Sequence, residues 1–551
     1  MNKLSFKHSI NCLIMSYTIM MLQALVLGVL TLLCSDANAQ TSERQVDEVC
    51  RRSVDVAIVG AGPAGAYAAY RLRNQKMNIE VFEFSNRIGG RLYTSYLPNA
   101  PDLPIDFGAM RYKPDVHSTV QGLVDAFGLT REVFSEKHGK SSQTRFHLRG
   151  QSLTPEQVES GDVPFKLSPE EKANQGRLFR YYLEKLTGYN GTEVNQDILM
   201  QLKVADGRYL HRIPVNEALD MVATPDGKEF LKAIDLFDYA TAPDTSFLTL
   251  LESNLGPYSG NYVVYQIKEG MSAVPQGMIR AFLNASDSHA LSLNNRLVSI
   301  TRNNAGDYVL TFQQTQTIDG VTNDMVKRDL TVCAKKVIVA IPKFALSALE
   351  WEPLLDGRVN EAINAVRPVV GCKVFMSFTE PWWLSNASAN PSYITNSDMN
   401  FSKFFHWGRS NTSGAYVILA SYADENKAMY LSNVNAQGNV ISGSPNGVNR
   451  VTEALKNDLL DQLSTVYGIA RKSIPEPLSA ASMFWKDYPF GGSWSLWKYG
   501  YRYDDVISTV QRPSLTDDVF LVGADHARGH HVGWSEGAYV TVDRVLNLYF
   551  F

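Results

Sequence analysis

The chain has 551 residues, of which 45% are hydrophobic and 20% charged, a composition typical of globular proteins. This length exceeds what one hydrophobic core usually holds, so the chain is expected to form two or three packed lobes. The formal net charge is −4, and the sequence has no lysine or arginine run of the kind that binds nucleic acid. Small-molecule chemistry is therefore the expected class of function.

The N-terminus has the pattern of a secretory signal. Lys3 and Lys7 precede an apolar run over residues 13–33, and Ala37-Asn38-Ala39 supplies small residues at cleavage spacing. A signal peptide over residues 1–39, cleaved after Ala39, predicts a secreted or periplasmic protein with no membrane attachment. Left uncleaved, the run is long enough to anchor the chain in a bilayer, and this alternative stays open.

Cleavage would leave Cys50, Cys333 and Cys372. One disulfide is arithmetically allowed. However, Cys333 and Cys372 lie in apolar, strand-like runs, which favours buried free thiols.

A dinucleotide fingerprint follows the first strong strand pattern. The β-branched run 54–59 leads into Gly60-Ala61-Gly62-Pro63-Ala64-Gly65, a helix is predicted from about Ala64 to Asn74, and Glu83 closes the next apolar run. The glycines permit a tight turn and close approach to a pyrophosphate, and the helix N-terminus favours its negative charge. The acid at this distance accepts the ribose hydroxyls. The predicted contacts are Gly60, Gly62, Ala64, Gly65 and Glu83.

A second glycine pair, Gly89-Gly90, lies between Arg87 and Arg91. A nicotinamide cofactor does not need a second backbone approach of this kind. An extended flavin dinucleotide does, and an arginine near its phosphates and ring system fits as well. These residues favour FAD.

From about residue 54 to the end, the chain resembles the flavin-dependent amine oxidase family, and in particular its L-amino acid oxidase branch. Besides the arginine and double glycine, the similar segments in the family's order are 105–111, 265–278, 337–342, 371–374 before Pro381-Trp382-Trp383, 519–523 and 533–538. The resemblance implies an α/β protein, α+β overall. It has a Rossmann-like FAD-binding domain, a discontinuous mixed-sheet substrate domain and a helical subdomain.

The predicted domain boundaries follow from this resemblance and from local patterns. The FAD-binding domain takes residues 54–115, 275–345 and 515–551, and the substrate-binding domain takes 116–164, 241–274 and 346–514. Residues 165–240 form the helical subdomain, because charged and apolar residues recur there at helical spacing. Residues 432–446 are rich in Asn, Ser and Gly and are predicted to be a loop.

Arg111 decides the substrate class. In the resemblance, the L-amino acid oxidases carry a Met-Arg pair here whose guanidinium holds the substrate carboxylate, and a fork of donors matches a carboxylate bidentately. The alternative is that Arg111 pairs with a nearby acid, either Asp106 or Asp115.

Lys373 is the candidate catalytic residue. In the resemblance, this lysine holds a water near the flavin N5 and assists hydride acceptance and the reaction with oxygen. The alternative is a solvent-facing strand lysine, since Cys372, Val374 and Met376 alternate onto the other face.

Aromatic residues are expected to enclose the site and exclude water from it. Trp485 and Trp534 are predicted to wall the site, with Trp534 and Trp407 contacting the substrate, and Gly533 lets the backbone pass close to the flavin. Residues near His406 and Trp407 are expected to shape substrate specificity. The resemblance assigns further cofactor contacts to Ala109, Met110, Arg111, Val298, Trp485, Asp525, Gly533, Trp534 and Ser535.

The C-terminal motif departs from the family in two ways. It reads Gly523-Ala524-Asp525 where the family has Gly-Glu, so Asp525 is expected to bind the ribityl chain one position later. His526, His530 and His531 resemble a metal cluster only in composition, because no acid or cysteine stands at metal spacing, and no metal is expected. The motif has no cysteine, so FAD is expected to bind noncovalently.

The sequence therefore predicts an FAD-dependent L-amino acid oxidase. Its substrates are an L-amino acid and O2, and its products are a 2-oxo acid, ammonia and hydrogen peroxide. Open alternatives are an amine or polyamine oxidase, an amino-acid 2-monooxygenase, and a noncatalytic secreted flavoprotein. The oligomeric state is open as well, with a homodimer among the options.

Overall fold

The computed structural model describes residues 50, 52–134, 143–235, 237–255, 263–385 and 388–551. The predicted signal peptide and its cleavage site lie outside these residues. One compact unit comprises Arg51–Thr301 and Tyr308–Phe551, and Arg302–Asp307 belongs to a second unit. Within that second unit, the Asn303 N–H donates to the Asp307 carbonyl across a turn.

Strands of the described residues are numbered in chain order: β1 (Arg52–Val59), β2 (Ile79–Phe82), β3 (Thr94–Leu97), β4 (Ala100–Asp106), β5 (Arg131–Val133), β6 (Thr144–Leu148), β7 (Gln151–Leu153), β8 (Tyr265–Ile267), β9 (His289–Ser292), β10 (Asn295–Arg302), β11 (Tyr308–Ile318), β12 (Val321–Val339), β13 (Val366–Val369), β14 (Gly371–Phe378), β15 (Ile394–Ser397), β16 (Lys403–Arg409), β17 (Tyr416–Asp424), β18 (Ser479–Phe484), β19 (Trp494–Trp497) and β20 (Val519–Leu521). The α-helices are Pro63–Leu72, Ser118–Ala126, Pro155–Ser160, Pro169–Ala173, Leu178–Thr187, Gln196–Gln201, Val215–Val222, Pro225–Asp235, Phe247–Leu255, Ala273–Leu283, Lys343–Leu346, Gly357–Ile363, Glu425–Asn435, Glu453–Tyr467, Tyr503–Gln511 and Ser535–Tyr549.

The first large sheet has the order β10-β11-β12-β1-β2-β9, with β20 beside β12. β1 pairs in parallel with β2 and β12, and β20 pairs in parallel with β12. Alternate side chains of β1 enter different hydrophobic cores, Val56 and Ile58 one and Ala57 and Val59 the other. Burial on both faces explains why the second half of this strand, residues 56–59, is entirely apolar.

The second large sheet has the order β18-β14-β17-β16-β15-β6-β7. β14 lies between two antiparallel neighbours, β17 and β18, and all eight of its residues are buried. The register pairs Lys373 with Tyr422 of β17. Because all eight of its residues are buried, β14 has no solvent-facing side.

Local patterns account for several boundaries. The helix Pro63–Leu72 begins directly after Gly62 with proline in its first turn, and the helix Glu453–Tyr467 ends at Gly468 in the left-handed conformation. The prediction of a loop over residues 432–446 is wrong at its start, because the helix Glu425–Asn435 extends into it.

Cys333 was predicted to be a free thiol, and this is wrong. Cys50 and Cys333 are both disulfide-bonded, whereas Cys372 is a buried free cysteine. Among the described helices, none is both long enough and apolar enough to cross a membrane.

Candidate functional site

A cavity of about 920 Å³ lies at the carboxyl ends of β1 and β12. Residues after β2, residues at the start of β14 and parts of the C-terminal segment 522–538 also contribute to its lining. Ligands of open α/β sheets bind beyond the carboxyl ends of parallel strands, so the cavity has the position of a cofactor site. Its volume is near the upper end of the usual range for ligand pockets.

The glycine turn approaches its neighbours more closely than a side chain would permit. Gly60 has φ +100°, and a Cβ there would lie 2.5 Å from the Ala340 carbonyl oxygen. A Cβ on Gly65 would lie 1.8 Å from the Gly60 carbonyl oxygen, so only glycine allows the helix to start here. A Cβ on Gly90 would lie 3.1 Å from the Cα of Gly62. The two predicted glycine segments therefore meet.

Glu83 follows directly after β2 and lines the cavity. One carboxylate oxygen accepts a hydrogen bond from the Ala61 N–H at 2.8 Å. The other accepts from the Ser85 N–H at 3.0 Å and from its hydroxyl at 2.8 Å. Each oxygen can accept more than one bond, so Glu83 fixes the glycine turn and can still accept from a ribose hydroxyl.

Asp525 and Arg91 form an ion pair on the cavity lining, with Nη2 and Oδ1 2.9 Å apart. Asp525 also accepts from the Ser495 hydroxyl at 3.1 Å and from the Lys343 backbone N–H at 3.2 Å. Burial acts to raise the pKa of Asp525, but the neighbouring charges, Arg91 first among them, and the hydrogen bonds from Arg91 and Lys343 together hold this pKa below its usual value. Asp525 is therefore an anion in the cavity.

Lys373 is 2% exposed and lines the cavity. Its ammonium donates to the Asp106 carbonyl at 3.0 Å and to the Gly108 carbonyl at 2.6 Å. Burial lowers the pKa of Lys373 to about 7. The alternative of a solvent-facing lysine is excluded, and one of its three donors is left for a water or ligand.

Arg111 lines the same part of the cavity and is partly buried. Within the described residues, no acid lies within ion-pair distance of its guanidinium, which rests over the Phe134 ring at 5.4 Å. Asp106, one proposed partner, instead accepts from the Thr94 hydroxyl at 2.6 Å and from the Met271 N–H at 3.1 Å. Burial lowers the pKa of Arg111. A desolvated cation without an acid partner is a site for an anionic ligand.

Aromatic side chains line the same cavity as Lys373 and Arg111. Trp485 and Trp534 line the cavity as predicted, and the Trp485 indole donates to the Phe107 carbonyl at 3.1 Å. Four further rings on the lining contact one another edge to face, and we call this group the aromatic wall. Its members are Phe237, Tyr239, Tyr422 and Trp494.

Ala109, Met110, Gly533 and Ser535 also line the cavity as predicted, whereas four other predicted site residues do not. Gly65 and Gly89 shape the backbone turns behind the lining. Arg296 and Leu297, which precede Val298 in the chain, line the cavity instead of it. The four residues off the lining are Gly65, Gly89, Val298 and Trp407.

Trp407, which was predicted to lie at the substrate site, lies off the cavity lining. Its indole donates to the Pro104 carbonyl at 2.8 Å, and its ring packs on Phe375 with centroids 5.0 Å apart. It is a core residue behind the cavity, so the expectation of a substrate contact is not supported.

Of the C-terminal histidines, His526 ends a short 3₁₀ turn, Ala524–His526, and lies off the cavity lining. His526 is buried, its Nε2 lies 3.0 Å from the Ile363 carbonyl oxygen, and burial lowers its pKa to about 4. The side chain of His530 lies outside the described part of the structure.

Residues 63–544 match the family described as flavin containing amine oxidoreductase. The chain belongs to this family. The similar proteins include aplysianin-A of Aplysia kurodai, 44% identical over 539 residues that cover 96% of this chain and 97% of that protein. Achacin of Lissachatina fulica is 45% identical over 534 residues, covering 96% and 100%.

More distant matches agree with the family and the fold. The L-amino-acid oxidase of Bungarus fasciatus is 23% identical over 502 residues, covering 87% of this chain and 83% of that protein. Among solved structures, putrescine oxidase bound to putrescine has a TM-score of 0.63 at 17% identity, covering 90% of this chain and 99% of that one. The predicted family and the α/β fold are confirmed.

The cavity residues of this amine oxidoreductase fit a flavin dinucleotide. The close approach of Gly62 and Gly90 leaves backbone in place of side chains where a pyrophosphate would lie. The N-terminus of the helix Pro63–Leu72 has no side-chain cap, so its N–H groups remain available to phosphate oxygens.

Sequence reasoning missed the aromatic wall. Phe237 and Tyr239 belong to an irregular segment between helices, and Tyr422 and Trp494 lie on strands of different sheets. No short motif joins these positions, since they meet only through long-range packing. Only a correct prediction of the pairing of β14 with β17 would have placed one wall residue, Tyr422, beside Lys373.

Proposed function

We propose that this flavin-dependent oxidoreductase is an L-amino acid oxidase. It converts an L-amino acid, O2 and water to a 2-oxo acid, ammonia and hydrogen peroxide, the water being consumed when the imino acid hydrolyses. The observation that carries the proposal is Arg111, a desolvated guanidinium on the cavity lining with no acid partner among the described residues. An α-carboxylate supplies the missing anion and matches the guanidinium fork bidentately.

FAD, when bound, supplies the acceptor for the hydride from the substrate α-carbon. Glu83 accepts from the adenosine ribose, Gly62 and Gly90 admit the pyrophosphate, and Asp525 accepts from the ribityl chain. FAD is held noncovalently. The described free thiol on the lining, Cys372, supports this, because burial raises its pKa to about 12 and keeps it an unreactive thiol.

The remaining cavity residues orient the substrate and keep water away from the reacting atoms. Arg111 fixes the carboxylate, so the α-carbon takes one position relative to the cofactor. Trp485 and Trp534 exclude water. Lys373 directs its remaining N–H toward a water or toward oxygen, and its charge favours negative charge that develops beside it.

The protein is proposed to be secreted after cleavage behind Ala39. Two observations support this: the charged and apolar pattern of the N-terminus, and the disulfide-bonded state of Cys50 and Cys333. Disulfides persist in oxidising compartments outside the cytosol.

A substrate panel tests the function. Purified protein is given each L-amino acid, its D-form and the amine that lacks only the carboxylate, and peroxide, ammonia and 2-oxo acid are measured. The proposal expects all three products from L-amino acids alone. Turnover restricted to amines would establish an amine or polyamine oxidase, and release of CO2 with an amide would establish a monooxygenase. The absence of turnover with every compound would leave a noncatalytic flavoprotein.

Removal of the Glu83 carboxylate is predicted to weaken FAD binding. Glu83→Ala loses the ribose acceptor and also the bonds that hold Ala61 and Ser85, so the purified variant should be largely apo protein. Added FAD should restore part of the activity, because the other contacts persist. Flavin absorbance per protein and the dissociation constant of FAD measure this.

Glu80→Ala is the matched control. Glu80 lies on β2, the strand that Glu83 follows, but its carboxylate accepts from Arg52 and Ser292 away from the cavity lining. It should retain its flavin. Full occupancy and normal FAD affinity in Glu83→Ala would refute the assignment of Glu83.

A further inference from the structure

Asp424, the last residue of β17, is a fully buried carboxylate outside the set described above. One of its oxygens accepts from the Asp238 backbone N–H at 2.9 Å, and the other accepts from the Tyr239 backbone N–H at 3.0 Å. A carboxylate that binds two backbone N–H groups forms charge-assisted hydrogen bonds, which are stronger than neutral ones. Asp424 therefore fixes the backbone of this segment.

The fixed segment carries half of the aromatic wall. Phe237 and Tyr239 both line the cavity, and their ring centroids lie 5.8 Å and 6.2 Å from that of Trp494. Phe237 also contacts Tyr422 edge to face at 5.2 Å. Tyr422 interacts electrostatically with Arg111. The position of these rings thus sets the shape of the cavity near the proposed carboxylate site.

This segment has little structure of its own to hold it. It is a single 3₁₀ turn, Asp238–Thr241, after the helix Pro225–Asp235. Short 3₁₀ turns have poor hydrogen-bond geometry, and the first N–H groups of any helical turn have no partner within it. Asp424 supplies acceptors for two of these groups.

The charges around Asp424 are arranged on several elements. Arg367 of β13 pairs with Glu425 and with Asp244, and Lys427 lies 3.6 Å from the Asp238 carboxylate. Glu425 has φ +45°, a backbone conformation that non-glycine residues seldom adopt. The carboxylates of Asp238 and Glu425 and the thiol of Cys372 also face this region, and burial raises the pKa of Asp424 to about 7.

We propose that Asp424 is a positioning residue for the aromatic wall. It sets the affinity for substrate and the discrimination among substrate side chains, without contacting substrate or cofactor. The proposal rests on the proposed function, because it assigns the wall to the substrate end of the cavity.

Asp424→Asn tests this role. The variant keeps the size of the side chain but replaces one acceptor oxygen with an amide donor that faces a backbone N–H. We expect KM for the preferred substrate to rise roughly tenfold, the value of one lost good hydrogen bond. The spread of kcat/KM over the substrate panel should narrow. By contrast, kcat should change by less than about twofold and FAD affinity should stay constant, since neither depends on the wall.

Glu171→Gln is the matched control. Glu171 is also a buried carboxylate that accepts two backbone N–H groups, from Ser168 and Thr224, but it lies in the helical segment away from the cavity lining. The same chemical change should leave KM and the substrate preference as in the wild type. An equal effect in both variants would show a general loss of packing and overturn the proposal.

The pH dependence of KM gives a second readout, and its first part needs only the wild type. Protonation of Asp424 removes the negative charge that strengthens both N–H bonds and makes one oxygen a weaker acceptor, so KM should rise as pH falls through about 7. This trend should persist in Lys373→Met and vanish in Asp424→Asn. A KM that does not change across this pH range, or a wild-type KM in Asp424→Asn, would overturn the role of Asp424. If the wild type oxidises amines only, the proposed function fails, and the same KM measurements on the amine decide the role of Asp424.

Discussion

Arg111→Ala is expected to lose most activity toward L-amino acids while it keeps bound FAD. A desolvated charged partner contributes about 2–5 kcal/mol to binding, so kcat/KM should fall roughly 30- to 4,000-fold, mainly through KM. Arg111→Lys should recover only part of this, because an ammonium cannot bind a carboxylate bidentately. Steady-state peroxide assays on both variants measure the effect.

Two controls separate this role from a general loss of structure. Arg131→Ala removes an arginine that donates to Gln121 at 3.2 Å and lies off the cavity lining, and it should behave as wild type. Any residual activity toward an amine without a carboxylate should be the same with or without Arg111. Unchanged kcat/KM for amino acids in Arg111→Ala would contradict the proposal that Arg111 binds the carboxylate of an L-amino acid.

Lys373→Met is expected to slow the reaction with oxygen on the order of 10²-fold, with a smaller loss in anaerobic reduction by substrate. Methionine keeps the length and apolar volume of the side chain, so folding and FAD content should survive. The lost element is a positive charge next to the position where negative charge develops on oxygen. Stopped-flow traces of the two half-reactions separate these effects.

The pH dependence of reoxidation follows from the same lysine. Burial lowers the pKa of Lys373 to about 7, so the ammonium loses its proton as pH rises through that value. The reoxidation rate of the wild type should therefore fall with rising pH, and that of Lys373→Met should not depend on pH in this range. Lys336→Met is the control, because Lys336 donates to the Tyr549 carbonyl away from the cavity lining. Wild-type rates in both half-reactions of Lys373→Met would assign Lys373 a purely structural role.

The sequence predicted those parts of the site whose chemistry is local. The turn from Gly60 to Gly65 and the acid at Glu83 lie within one strand-helix-strand unit, so spacing alone specified their geometry. Arg111 and Lys373 came from the family resemblance, and the structure shows both on one cavity lining.

Features that depend on distant partners could not be predicted. Alternation in β14 left a solvent-facing Lys373 open, but both faces of the strand are buried, and the Lys373 ammonium lies against the Asp106 and Gly108 carbonyls. Residues 432–435 have weak helix propensity, yet they form the end of the helix Glu425–Asn435. This helix is held by Ala428 and Leu431, which are buried in one core with the helix Glu453–Tyr467. The disulfide-bonded state of Cys333 likewise has no signal in its own strand.

Anaerobic titration of the wild-type holoenzyme tests the central claim most directly. An L-amino acid and the amine that lacks only its carboxylate are added in turn, and the flavin absorbance is followed without oxygen. Because Arg111 is proposed to bind the substrate carboxylate, we expect the amino acid to bleach the flavin at a rate no slower than kcat and the amine not to bleach it. Bleaching by the amine at an equal or greater rate, or by neither compound across the panel, would contradict it.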